Sequence, residues 1–77
     1  AFCVVPTTRG PEVSRSAQEI IREIKLKVRM GAREVMLLGQ TVNSYGKDLN
    51  PRFPFSQLIR KIAEIPDLER IRFTSPH

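Results

Sequence analysis

Around Gly39 the chain changes character within a few residues. Residues 35–38 are Val, Met, Leu and Leu; after Gly39 comes Gln-Thr-Val-Asn-Ser-Tyr-Gly, rich in amides and hydroxyls. An apolar run with no polar alternation predicts a strand covered on both faces in a parallel sheet. A buried helix is the competing reading, but the run is too short for one and the glycine stops it. From Gln40 to Pro54 nothing is periodic, so the loop far exceeds the roughly 2 to 6 residues usual between a strand and a helix. In parallel α/β folds ligands sit outside the carboxyl ends of the strands, where Gln40, Thr41, Asn43, Ser44 and Tyr45 would lie. A solvated loop of turn residues would have the same composition, and both readings stand.

Two helices flank this strand in the pattern. Ser16-Ala17-Gln18-Glu19 matches a capping box, and Ala17, Ile20, Ile21, Ile24 and Val28 follow it on one helical stripe. Gly31 is placed to end that helix in a left-handed cap. Leu26 and Met30 fall opposite the stripe. Pro54 can open a second helix whose stripe is Phe55, Leu58, Ile59, Ile62 and Ile65, with Pro66 ending it. Leu68, Ile71 and Phe73 then alternate with Glu69, Arg70 and Arg72, predicting a second strand that stops at Thr74-Ser75-Pro76, with Arg72 and Thr74 opposite Ile71 and Phe73. The segment before the first helix, punctuated by Pro6, Gly10 and Pro11, reads as an apolar piece followed by extended loop. Its polar residues Thr7, Thr8, Arg9, Glu12, Ser14 and Arg15 are dense for a linker, although pinning the next helix would explain them equally well. The predicted order is loop-α-β-loop-α-β with parallel strands, an α/β piece too small to close a barrel or bury both sheet faces.

Composition narrows this picture. Seventy-seven residues make one small domain or part of one, with a marginal core. A start at Ala1 within an apolar run and an end at Pro76-His77 suggest a piece of a longer protein. Nothing resembles a membrane span or a leader, which makes the cytoplasm the expected location. Thirteen basic against eight acidic side chains leave a net charge of +5, which fits an RNA partner and equally a solvated surface. With Cys3 the single cysteine and His77 the single histidine, an internal disulfide is impossible, and a lone cysteine in an apolar stretch is ordinarily a buried small residue.

Four stretches carry a resemblance. Phe2-Cys3-Val4-Val5-Pro6-Thr7-Thr8-Arg9-Gly10, Glu12-Val13-Ser14-Arg15, residues 37–46, and Arg70-Ile71-Arg72-Phe73-Thr74-Ser75-Pro76-His77 resemble, in that order, the radical S-adenosylmethionine core of the methylthiotransferases. The resemblance spans essentially all 77 residues. It implies part of a (β/α)6 partial barrel, lacking the N-terminal sulfur-donor domain, the first barrel strand, the rest of the barrel and a C-terminal RNA-binding domain.

In that family three cysteines hold a [4Fe-4S] cluster whose open iron is chelated by S-adenosylmethionine, since soft thiolates suit iron-sulfur clusters. Cys3 matches the third ligand; the other two would precede Ala1. Phe2 matches an aromatic residue near the adenine. Gly39 and Gln40 match a glycine-rich motif that receives the amino group of the methionine moiety, and Asn43 is a further candidate for cofactor contact. Arg9, Glu12, Ser14 and Arg15 match an Arg-Gly-x-Glu-x-Ser-Arg segment, with Pro11 in place of the commoner basic residue. With Arg72 and Thr74 they are candidates for active-site support. No catalytic acid or base is implied, because the cofactors carry the chemistry. A second [4Fe-4S] cluster in the missing N-terminal domain would supply sulfur, and an external donor the electrons.

The implied activity is addition of a methylthio group to C2 of N6-isopentenyladenosine beside the anticodon of tRNA, by a cytoplasmic enzyme in which these residues alone would be inactive. Other branches act on threonylcarbamoyladenosine in tRNA or on an aspartate of a ribosomal protein. Outside the family, the alternatives are a noncatalytic basic RNA-binding module and a structural α/β piece with Cys3 in its core. The paucity of aromatics and the absence of a stacking motif or Gly-x-x-Gly clamp count against the RNA-binding module.

Overall fold

The computed structural model describes residues 2–10, 13–39, 45–49 and 51–74. In chain order these form β1 (Phe2–Pro6), β2 (Thr8–Gly10), β3 (Val13–Ser14), α1 (Ala17–Arg29), β4 (Glu34–Leu38), α2 (Phe55–Ala63) and β5 (Arg70–Thr74). Strands β1, β4 and β5 build a parallel sheet with β4 in the middle, while β2 and β3 pair as a short antiparallel ribbon. The α/β class and the parallel sheet agree with the sequence pattern.

The opening segment does not follow the predicted order. Phe2–Pro6 is a third strand rather than loop, with Cys3 opposite Val35 and Val5 opposite Leu37. Successive β-branched residues favour extended backbone, and the pairing satisfies one edge of β4 that would otherwise lack hydrogen-bond partners. Pro6 is tolerated because it stands last in an edge strand.

Helix α1 starts where the capping pattern puts it. Ser16 Oγ accepts the Glu19 amide at 3.2 Å. The Glu19 carboxylate does not complete a reciprocal box but accepts from Arg9 at 2.7 Å. Ile20, Ile24 and Val28 are buried, and Leu26 and Met30 lie exposed on the far side. Gly31, at φ 112°, lets the chain leave the helix. The Arg33 guanidinium donates to the Ala32 and Val28 carbonyls at 2.8 and 3.2 Å. Helix α2 follows its N-cap Pro54 and buries Leu58 and Ile62. It stops at Ala63, short of Pro66, and the chain turns through Asp67 at φ 72° before β5.

Register sorts the strand residues onto two faces. Cys3, Val5, Val35, Leu37, Ile71 and Phe73 share one face; Phe2, Val4, Glu34, Met36, Leu38, Arg70 and Arg72 share the other. The first face joins Ile20, Ile24, Val28, Leu58 and Ile62 in a single core. On the second, Phe2, Val4 and Leu38 are 58, 46 and 41% exposed. The expectation that residues 35–38 are covered on both faces is therefore corrected among the described residues. The units β1–α1–β4 and β4–α2–β5 step the same way across the sheet, so crossovers of one hand put both helices on one side. Among the described residues no helix is long and apolar enough to cross a membrane.

Candidate functional site

Among the described residues, Thr7, Ser14 and Arg15 before α1 meet Gly39 and the segment 45–48 after β4 at the carboxyl end of the sheet. Immediately after β1, the Thr7 amide donates to the Leu38 carbonyl at 2.8 Å and its hydroxyl to the same oxygen at 3.3 Å. Gly39 follows, with φ +155°, and a Cβ there would collide with Thr7 Oγ1. This close approach of the Thr7 side chain to the Gly39 backbone, together with the positive φ, explains why a glycine follows the strand.

The ribbon β2–β3 then brings Ser14 and Arg15 against the segment 45–48. The Arg15 amide donates to the Thr7 carbonyl at 2.8 Å, and its guanidinium to the Pro6 carbonyl at 2.8 Å. Tyr45 Oη donates to the Arg15 carbonyl at 2.6 Å. The Gly46 amide donates to Ser14 Oγ at 3.1 Å, and the Ser14 amide donates to Asp48 Oδ2 at 2.9 Å. Gly46 sits at φ +81°, where a Cβ would strike the Phe53 carbonyl; its own carbonyl oxygen accepts from the Leu49 amide at 3.1 Å. Tyr45 is 2% exposed, edge-on to Phe55 with ring centroids 6.1 Å apart. Gly39 and Tyr45 are thus both held in place, the first by close packing on Thr7 and the second by its bond to Arg15.

Charge reinforces this clasp. Burial pushes the Tyr45 phenol up to about 12, with the nearby Asp48 carboxylate adding to the shift. The Ser14 hydroxyl and amide hold the Asp48 carboxyl below its usual range. Hydrogen bonding from Arg9 does the same for Glu19. Arg15 pairs with Glu23 at 2.8 Å and with Glu19 at 3.8 Å, which ties the strand-end region to the first turns of α1.

The expected site residues divide into groups. Arg9, Ser14, Arg15 and Gly39 come together at the carboxyl end of the sheet. Cys3 lies three residues before the end of β1, about 10 Å along the strand. It packs against the core, and burial pushes its thiol up, with a smaller opposing effect of Lys27 and a further upward push from Glu23. Phe2 lies on the opposite, open face of β1. Arg72, also on the open face, pairs with Glu34, while Thr74 ends β5 opposite Leu38. Glu12, Gln40 and Asn43 lie outside the described residues. The sequence reading missed Asp48: in Gly-Lys-Asp-Leu it has the signature of an ordinary turn, and its partner is 34 positions away.

Among the described residues no three His, Cys, Asp or Glu side chains gather to hold a metal ion. A four-iron cluster bound through three thiolates does not fit the donor set of this chain, whose one thiol is half-buried and disfavoured as thiolate.

No family model matches the chain. It is similar to curated proteins named tRNA-2-methylthio-N(6)-dimethylallyladenosine synthase. The protein of that name from Bifidobacterium adolescentis is 57% identical over 76 residues, covering 99% of this chain and 16% of the relative. The one from Acetivibrio thermocellus is 50% identical with the same coverage, and that from Syntrophotalea carbinolica 49% identical over 77 residues, covering all of this chain and 18% of the relative. The chain thus spans under one fifth of the length of the relatives it matches. Over that span it is a homologue of one segment of the tRNA-2-methylthio-N(6)-dimethylallyladenosine synthases.

Proposed function

We propose that these 77 residues work as part of the core domain of a longer tRNA-modifying methylthiotransferase, which adds a methylthio group to C2 of N6-dimethylallyladenosine beside the anticodon. The similarity along the whole chain to proteins whose names state that product carries this reading.

The fold supports a barrel core. Strands neighbouring in sequence order among β1, β4 and β5 are neighbours in space, and both helices cover the same face. An arc of a (β/α)6 barrel has this arrangement, with helices outside and the open face turned inward. On this reading the carboxyl ends of β1, β4 and β5 border the active site, and Gly39, Gln40 and Asn43 belong to the S-adenosylmethionine pocket. The chain's own contribution is positional. Thr7 and Gly39 bring two strand ends into contact, and Ser14, Arg15, Tyr45 and Asp48 hold the loop after β4.

A [4Fe-4S] cluster would need two thiolates from beyond these residues, with Cys3 as third ligand released from the core face. Phe2 would border the bound nucleoside. The cluster and S-adenosylmethionine would supply the radical chemistry when bound. The partners are tRNA and an external electron donor, and the compartment is the cytoplasm.

The test is anaerobic iron and sulfide analysis of the longer protein and of its Cys3→Ala variant, beside a tRNA methylthiolation assay read by nucleoside mass spectrometry. The expected result is iron that depends on Cys3 and a methylthio product on dimethylallyladenosine. Full iron retention without Cys3 would remove the ligand assignment, and a parent protein that leaves the nucleoside unmodified would overturn the function.

A further inference from the structure

A shallow groove runs along α1 on the side away from the sheet, bounded across by Phe53 and by Lys61 of α2. Arg22, Lys25 and Arg29 line it at spacings of three and four residues, so they fall within one narrow arc of the helix. At 1.5 Å per residue they span about 10 Å. All three, and Lys61, are exposed. Of the groove's acidic side chains, Glu19 is engaged by Arg9 and Arg15, and Glu23 by Arg15. Among the described residues the four cations have no carboxylate within ion-pair distance. Ile21 and Leu26 supply apolar surface between them.

We infer that this groove is a docking track for the phosphate backbone of RNA. A row of cations whose local counter-charges are already committed complements a partner carrying one negative charge per residue, and the arginine fork suits phosphate oxygens. The choice of RNA over an acidic protein rests on the tRNA reading above.

The experiment uses the longer protein carrying this segment and an unmodified tRNA transcript, with affinity measured across a salt series. Arg22→Gln, Lys25→Gln and Arg29→Gln are combined in one variant. A control variant carries Lys47→Gln, Arg52→Gln and Arg60→Gln, which removes equal charge outside the groove. The groove variant is expected to bind at least about tenfold more weakly at 0.15 M salt, with the log–log salt slope smaller by about 2. The control should stay within about twofold of the parent. A charge-retaining variant, Arg22→Lys with Arg29→Lys, should keep the slope, which separates lost charge from lost folding. Equal loss in both glutamine variants would reduce the effect to net charge and overturn the inference. Unchanged tRNA affinity with a lowered melting temperature would assign the face to a protein contact and overturn it as well. Methylthiolation by the parent tests the other reading separately. A protein that modifies tRNA yet binds it equally without these cations loses only the groove; one that binds through them without modifying tRNA loses only the reaction.

Discussion

Tyr45 donates its hydroxyl proton to the carbonyl oxygen of Arg15 across 30 positions of sequence, at 2.6 Å. The contact joins the loop after the central strand to the segment entering the first helix. Neighbouring bonds from Ser14 to Asp48 and from Gly46 to Ser14 make it one member of a clasp.

Tyr45→Phe should cost about 1 to 2 kcal/mol, because it leaves the Arg15 carbonyl without this donor. Denaturant unfolding of the parent and the variant measures it. Tyr45 is also the only tyrosine, and there is no tryptophan, so phenolate absorbance reports it cleanly. The folded chain should titrate near 12, the urea-unfolded chain near 10. The sign follows from the raised value: the folded state retains the proton longer. Its contribution, on the order of 2 kcal/mol, is therefore complete below about pH 10 and lost as pH rises through 12. Tyr45→Phe should remove that alkaline step.

Asp48 behaves in the opposite sense. Its folded-state value is lowered by the Ser14 hydroxyl and amide, so its contribution is present above about pH 4 and lost as pH falls through the lowered value. Asp48→Asn should lower the melting temperature at pH 7, and the gap from the parent should narrow as pH falls below about 4. A constant gap from pH 7 to pH 3 would show that the carboxylate charge is not what holds Ser14.

Gly39→Ala should destabilise by about 2 to 3 kcal/mol, combining a left-handed-side φ with a collision at Thr7 Oγ1. Thr7→Ala in the same chain relieves the collision but not the dihedral. The double variant should thus be more stable than the sum of the single losses requires, which a double-mutant cycle detects.

Ile24→Ala should cost about 2 to 5 kcal/mol, since Ile24 is wholly buried between α1 and the sheet. Leu26→Ala, two residues on and exposed, should change stability by less than about 0.5 kcal/mol. Thermal or urea unfolding of both distinguishes the core stripe from the outer face.

Residues close in sequence were legible before the structure. The Ser16 cap, the stripe Ile20, Ile24 and Val28, the break at Gly31 and the apolar strand before Gly39 all follow from periodicity and cap chemistry, which act over three or four residues. The family motifs were legible for the same reason. Tertiary structure alone decided what depends on partners farther away. Phe2–Pro6 reads as an apolar piece ahead of a loop until the edge of β4 meets it, and pairing then makes it a strand. Residues 35–38 carry no polar alternation, so only the common side taken by α1 and α2 reveals that one face stays open. The clasp was invisible for the same physical reason: Asp48 looks like a turn residue until the fold carries Ser14 to it.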